Sequence, residues 1–361
     1  MTDTTIIDTC YCEAVELLRT FIATPSISRN ESAATDVLSA FLSKHNIEYR
    51  RVGNNIISIC ADYDATKPTL LLNAHIDTVK PAPGWQRDPF EPSIECGRLY
   101  GLGSNDCGGG LVSLLQTFRL LSSRPQSYNL VYAASAEEEV SGKDGLTLLL
   151  PHLPKIDVAI VGEPTSLQPA IAEKGLMVLD ITTTGKAGHA ARNEGINAIY
   201  KAIDQIQLLR SYRFPKVSPT LGEMKMTTTI IQAGTLHNCI PDTCTYTVDV
   251  RTTDCYTNAE TLEIIQSMLD AQVKARSTRL GSSCIDPSHP IVKRCTDLGL
   301  VPFGSPTLSD QALMSWPSLK LGPGDSQRSH TADEYIDTAD IRKAIELYLQ
   351  LLDGLTLTTN P

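Results

Sequence analysis

Apolar residues recur along the chain at two different periods, and the change of period divides it. Over Tyr11–Ile22 the apolar positions fall at helical spacing, with Pro25 just beyond to end the run, and residues 34–45 repeat the pattern. Short runs rich in Val, Ile and Leu come next at Asn55–Ile59, Thr69–Ala74, Asn129–Ser135 and Asp157–Val161, with helix-like segments at Asp106–Leu121 and Leu146–Leu150 between the later ones. Continuous apolar strands alternating with helices predict an α/β fold with a mostly parallel sheet covered on both faces.

From about Leu176 the pattern changes. Met177–Thr184, Lys225–Ala233 and Thr243–Arg251 alternate apolar and polar residues, as strands with one wet face do. Ile196–Leu209 and Asn258–Val273 have the spacing of amphipathic helices, and Arg276–Cys284 reads as a last strand. The order strand–helix–strand–strand–helix–strand predicts a small ferredoxin-like α+β domain. Helix–strand alternation resumes after about Pro287, so this domain, 177–286, reads as an insertion between two parts of a larger one, 1–176 and 287–361.

The 361 residues carry 31 lysines and arginines against 41 acidic residues, a formal net charge of −10, with 42% hydrophobic and 20% charged content. That length suits two domains, and the balance is ordinary for a soluble globular protein. Without a block of basic residues, nucleic acid and membranes are not expected as partners. The stretch MTDTTIIDTC lacks a basic segment followed by an apolar one, and no apolar run approaches the roughly 20 residues that span a bilayer, so a cytoplasmic location is expected. Ten cysteines, scattered from Cys10 to Cys295, lack the paired spacing of a disulfide framework and read as reduced thiols.

The residues just beyond each apolar strand carry the chemistry. Thr69–Ala74 runs into His75 and Asp77, Asn129–Ser135 into Glu137, Glu138 and Glu139, and Asp157–Val161 into Glu163. Ser318–Leu321 leads through Gly322, Pro323 and Gly324 towards His330, and Asp106 opens a helix. In open parallel sheets, residues beyond the carboxyl ends of strands converge on one edge, where ligands bind. Two histidines and several carboxylates would share that rim, and carboxylates crowded without a cation are forced toward protonation. Imidazole plus carboxylate suits zinc, cobalt or manganese at an open catalytic site. Taken singly, Asp106 also reads as a helix N-cap, Glu137–Glu139 as a solvated acidic turn and His75 as an ordinary strand-end residue. Five such explanations would be needed at once.

With those residues in place, the chain resembles the dinuclear zinc family of acetylornithine deacetylase, succinyl-diaminopimelate desuccinylase, aminoacylase and carboxypeptidase G-type enzymes along nearly its whole length. The matching segments are NAHIDTV (73–79), YGLGSNDCGGG (100–110), SAEEEVSG (135–142), VGEPT (161–165), GKAGHAA (185–191), HNCIPD (237–242), VDVR (248–251) and LGPGDSQRSHTADEY (321–335). By position, the resemblance implies that Asp106 bridges two zinc ions, with His75 and Glu163 completing one site and Glu139 and His330 the other. It implies Asp77 as the carboxylate that orients His75, and Glu138 as the general base toward a metal-activated water. It also implies that the inserted domain acts as a lid and homodimerisation domain, and that His189 reaches the substrate, often across the dimer, to stabilise the oxyanion. Asn238 and Arg251 match substrate-contacting positions. Relatives often hold a cis peptide after the bridging aspartate, here Asp106–Cys107, and many carry a lysine where this chain has Gly108. Cys107 itself reads as a packed small residue.

Gly162–Thr165 and the loop before His330 most resemble the acetylornithine and diaminopimelate branch. The expected reaction is hydrolysis of the N-acyl amide of a small amino acid, first N-acetylornithine or an N-acyl citrulline, in arginine biosynthesis. Succinyl-diaminopimelate desuccinylation and a dipeptidase or carboxypeptidase activity are the enzymatic alternatives. A non-enzymatic binding relative would be expected to have lost a ligand or the base, whereas all five ligand-type positions and Glu138 are present.

Overall fold

The computed structural model describes residues 3–192 and 194–357. The chain divides into two compact units. The first runs to Ile171 and takes in Ile285–Phe303 and the chain from Ser309 on; the second comprises Ala172–Cys284 with Gly304–Leu308.

In the first unit the strands Asn129–Ser135, Thr69–His75, Val158–Val161 and Ser318–Lys320 lie side by side in that order, all parallel. Asn55–Ile59 and then Arg50–Val52 continue the sheet antiparallel on one side, and Ala170 pairs antiparallel with Lys320 on the other. Burial on two faces explains the unbroken apolar runs. Leu70, Leu72, Tyr132 and Ile160 pack with residues of the helices Asp3–Ile22, Gly109–Leu121 and Thr338–Leu352, among them Leu18, Phe118 and Tyr348. Leu71, Val131, Ala133 and Ala159 point the other way and pack with Leu146 and Leu149. The register brings the carboxyl ends level: His75 pairs with Ser135, and Val161 with both Asn73 and Lys320.

One helix begins later than its periodicity predicts. The regular helix is Gly109–Leu121; Ser104–Gly108 form a wider turn in which Asp106 (φ −114, ψ 102) leaves helical geometry. The Asp106 carboxylate caps no helix, which frees it for the interior.

The second unit is a four-stranded antiparallel sheet in the order Lys225–Ala233, Thr243–Arg251, Met177–Thr184, Gln272–Ala275. Alternate residues Met177, Leu179 and Ile181 are buried with Ala198, Ala202 and Leu209 of the helix Ala198–Ser211 and Ile265 of the helix Asn258–Met268. Thr257 and Glu260 close a reciprocal capping box at the second helix. The sequence predicts that helix through Val273 and a strand over 276–284. Instead the helix stops where Leu269 turns extended (φ −108, ψ 132), and Gln272–Ala275 is the fourth strand. Val273 fits either period, and pairing along the edge of Met177–Thr184 decides for the strand. Among the described residues no helix is long and apolar enough to cross a membrane.

Candidate metal centre

The level strand ends bring five ligand-type side chains together. His75 closes its strand, Glu163 lies two residues beyond Val161, and Glu138 and Glu139 sit in a tight turn entered through Glu137 at φ 53. Asp106 stands between two pairs of these groups. Its Oδ1 lies 3.2 Å from His75 Nε2, which is 3.8 Å from Glu163 Oε1. Its Oδ2 lies 3.7 Å from His330 Nε2, which is 2.9 Å from Glu139 Oε2.

The electrostatics of this cluster are those of a place prepared for positive charge. Burial, then the neighbouring charge of Asp106, pushes the Glu163 carboxyl up to about 8. Burial likewise raises Glu138 and Glu139. The hydrogen bond to Glu139 lifts the His330 imidazole to about 9. Asp106 moves the other way: burial opposes its ionisation, but the hydrogen bond and charge of His75 hold it below its ordinary value. Glu139 Oε1 and Glu163 Oε1 are buried and accept no hydrogen bond from the described residues. Acids packed this closely cannot all ionise unless a cation joins them. Two imidazoles, three carboxylates and two orphaned carboxylate oxygens fit divalent zinc, cobalt or manganese, with one oxygen of Asp106 available to each of two positions.

Asp77 holds more than one neighbour. His75 Nδ1 lies 2.8 Å from the main-chain carbonyl of Asp77 and 3.6 Å from its carboxylate. A carbonyl can only accept, so Nδ1 carries a proton and the ring is turned with Nε2 toward Asp106. The Asp77 carboxylate accepts from the backbone N–H groups of Glu138 (3.0 Å) and Glu139 (3.2 Å) and from the Ser28 hydroxyl (2.7 Å). The fully buried Glu31 accepts from the side chain of Asn54 and from Glu137 N–H, fixing the start of the acidic turn. Neither Ser28 nor Glu31 carries a local sequence signal, because the groups they hold lie far along the chain.

The Asp106–Cys107 peptide is cis. Cys107 is buried, its sulfur accepting the His75 backbone N–H at 3.2 Å, and burial pushes its thiol up to about 12. At neutral pH it is a protonated, packed group and not a nucleophile. The glycine at 108 has a steric reason: a Cβ there would lie 2.4 Å from the Gly103 carbonyl oxygen and 2.5 Å from Leu18 Cδ1. Gly108→Ala is therefore expected to destabilise the protein by about 1–3 kcal/mol, the usual range for overpacking. Denaturant unfolding measures it; a midpoint equal to the parent's would contradict the close approach.

The remaining sequence candidates lie in the second unit. The short strand Gly188–His189 pairs with Cys239–Ile240, which sets His189 opposite Cys239 and next to Asn238 on an exposed corner. The Asn238 carbonyl accepts the Ala190 N–H, and His189 Nδ1 accepts the Ala191 N–H. Arg251 is not part of this corner. It ends the strand Thr243–Arg251, about 26 Å along from Thr243 at roughly 3.3 Å per residue, and its guanidinium grips Asp249 through two nitrogens.

A parallel sheet whose strand ends gather two histidines and a shared aspartate among further acids is the arrangement of a metal-dependent hydrolase. Residues 71–354 match the peptidase family M20/M25/M40, and the chain belongs to that family. An acetylornithine deacetylase of Proteus mirabilis is 30% identical over 375 aligned residues, covering 95% of this chain and 97% of that protein. The crystal structure of the aminopeptidase PepT from Bacillus cereus superposes with a TM-score of 0.76 at 16% identity, covering 95% of this chain and 98% of the other. The Bacillus subtilis YXEP protein, described as a dinuclear metal binding peptidase of the M20 family, gives a TM-score of 0.73 at 18% identity, over 96% of this chain and 98% of that one.

Proposed function

We propose that this protein is a cytoplasmic zinc-dependent deacylase that hydrolyses the N-acyl amide of N-acetylornithine or an N-acyl citrulline, as in arginine biosynthesis. The observation that carries the reading is the position of Asp106, one carboxylate oxygen 3.2 Å from His75 Nε2 and the other 3.7 Å from His330 Nε2, with Glu163 beside the first imidazole and Glu139 beside the second. The substrate class rests on relatives named acetylornithine deacetylase that align over most of the chain.

In this reading His75, Asp106 and Glu163 hold one zinc, and Asp106, Glu139 and His330 the other. Bound there, the two ions would polarise the amide carbonyl and make a water acidic near neutral pH. Glu138 accepts the proton of the attacking water and returns it to the leaving amine. Asp77 keeps Glu138 in place through the backbone N–H and keeps the His75 ring turned. His189 and Asn238 form the substrate-contacting corner of the second unit. Arg251 is assigned to the substrate carboxylate, a role that requires it to exchange Asp249 for that group.

A panel of N-acetylornithine, N-acetylcitrulline, their succinyl forms, succinyl-diaminopimelate and dipeptides, with added zinc or cobalt, tests the substrate. Release of acetate from an N-acetyl amino acid supports the reading; cleavage of dipeptides alone would replace it with a peptidase.

The second unit is also proposed to form a homodimer. Tyr200, Ile203 and Leu208 on the helix Ala198–Ser211 and Ile230 and Ile231 on the edge strand Lys225–Ala233 are exposed, and an open apolar strand edge invites pairing. Ile231→Asp is expected to convert a dimer to a monomer in sedimentation. A parent that already sediments as a monomer removes this assignment.

A further inference from the structure

We infer that Asn105 and Glu334 form a reciprocal brace between the loops that carry Asp106 and His330, and that this brace sets the cation position built from Asp106, Glu139 and His330. The inference rests on the ligand assignment proposed above. Both residues are almost wholly enclosed, Asn105 at 0% and Glu334 at 2% exposure.

Each loop supplies the clamp for the other. Glu334, in the loop after His330, accepts through Oε1 the backbone N–H of Asn105 (2.8 Å) and of Asp106 itself (3.0 Å), and through Oε2 that of Gly103 (3.2 Å). Its main-chain carbonyl accepts the Gly101 N–H at 3.0 Å. In the other direction Asn105, just before Asp106, accepts the Asp325 N–H (2.9 Å) and donates to the Asp325 carbonyl (3.0 Å) and the Ser329 hydroxyl (3.4 Å). These groups belong to the stretch leading into His330. Gly324 makes room: at φ +88 it bears no Cβ, which would otherwise lie 2.3 Å from Asn105 Oδ1. Beyond the brace, antiparallel pairing of Tyr100 with Tyr335 ties the two segments again.

Two physical points give this arrangement a task beyond packing. A buried carboxyl needs hydrogen-bond partners, and the three that the Glu334 side chain accepts all come from the turn that holds Asp106. The two cation positions also differ in how they are supported. His75 and Glu163 stand at the ends of strands locked in the sheet, whereas His330 lies on a loop with about half its side chain exposed (53%). The Asp106–His330 separation therefore depends on the brace, and the His75–Glu163 pair does not.

The test uses the full chain, stripped of metal and titrated with cobalt(II), read by calorimetry and by visible absorption. The parent is expected to take up two equivalents. Asn105→Ala and Glu334→Gln should keep parental circular dichroism and cooperative melting. In Asn105→Ala the first equivalent should bind within about threefold of the parent and the second about 10–100-fold more weakly, the range seen when a ligand's support is removed. Glu334→Gln, which also loosens the Asp106 shared by both positions, should weaken the second as much and the first less. The absorption of the second equivalent should change as well, and the double variant should lose no more than the worse single one. If Glu334→Gln does not fold, Asn105→Ala and Asn105→Ser carry the comparison. Folded variants that bind the second ion as the parent does, or that weaken both ions equally, would overturn the brace alone. A parent that binds fewer than two ions would overturn it together with the proposed function.

Discussion

Glu138→Gln is expected to lower kcat by about 10²–10⁴-fold, the usual contribution of a positioned acid–base group, while the protein still binds its metal ions. The substitution keeps the shape of the side chain and removes only its ability to take a proton. Glu138 is held by its neighbours rather than by its own carboxylate: its N–H donates to Asp77, and the turn that carries it is fixed by Glu31 beneath Glu137. The folded structure should therefore be indifferent to the change, or slightly stabilised, because one member of a crowded acid group becomes neutral. Measuring turnover, metal content and melting temperature on the same sample separates the outcomes. Parental turnover in a fully metal-loaded variant would exclude Glu138 as the base.

Removing metal with a chelator should abolish hydrolysis and also lower the melting temperature, and zinc or cobalt should restore both. A ligand held at a thousandfold excess over its dissociation constant stabilises the folded state by about 4 kcal/mol per site. For a unit of this size that corresponds to a shift on the order of 10 °C. The structural origin lies in Glu139 and Glu163, each with a buried oxygen that no described group satisfies. An unsatisfied buried acceptor costs roughly 1–3 kcal/mol, and a cation relieves it. Calorimetric scans with and without chelator, in parallel with activity, decide the matter. A chelated protein that melts at the same temperature and hydrolyses substrate at the parental rate would rule out a metal centre.

The features legible in the sequence are those set by burial over several consecutive residues. Leu70, Leu71 and Leu72 announce their strand because neighbouring positions face two separate cores, so every residue must be apolar. The polar residue that ends such a run stands out for the same reason, which is how His75, Glu138, Glu139 and Glu163 come to notice. Hydrogen bonds between distant backbone groups leave no such pattern. Asn105 and Glu334 act on main-chain N–H and C=O groups, which every non-proline residue carries, and their partners lie more than 200 positions away. Ser28 meets Asp77 across 49 residues with no local sign of it. Secondary structure misleads where two periods agree, as at Val273, and only the available sheet edge discriminates. Arg251 shows the complementary limit: a motif draws attention to a residue, but its contact with Asp249 appears only in three dimensions.

The distribution of the centre over strand ends has a consequence for how the protein is made. Glu139 and His330, which meet at 2.9 Å, are 191 residues apart in the chain. At a synthesis rate of about 5–20 residues per second, the histidine leaves the ribosome some 10–40 s after the glutamate. The whole of the second unit is produced in that interval, Glu163 follows Glu139 near its start, and His330 is the last of the five to be made. A cation captured then would lack His330 among its donors. The meeting of Glu139 with His330 is thus reserved for a nearly finished chain, and an ion that needed both residues would be held only after the second unit had been made.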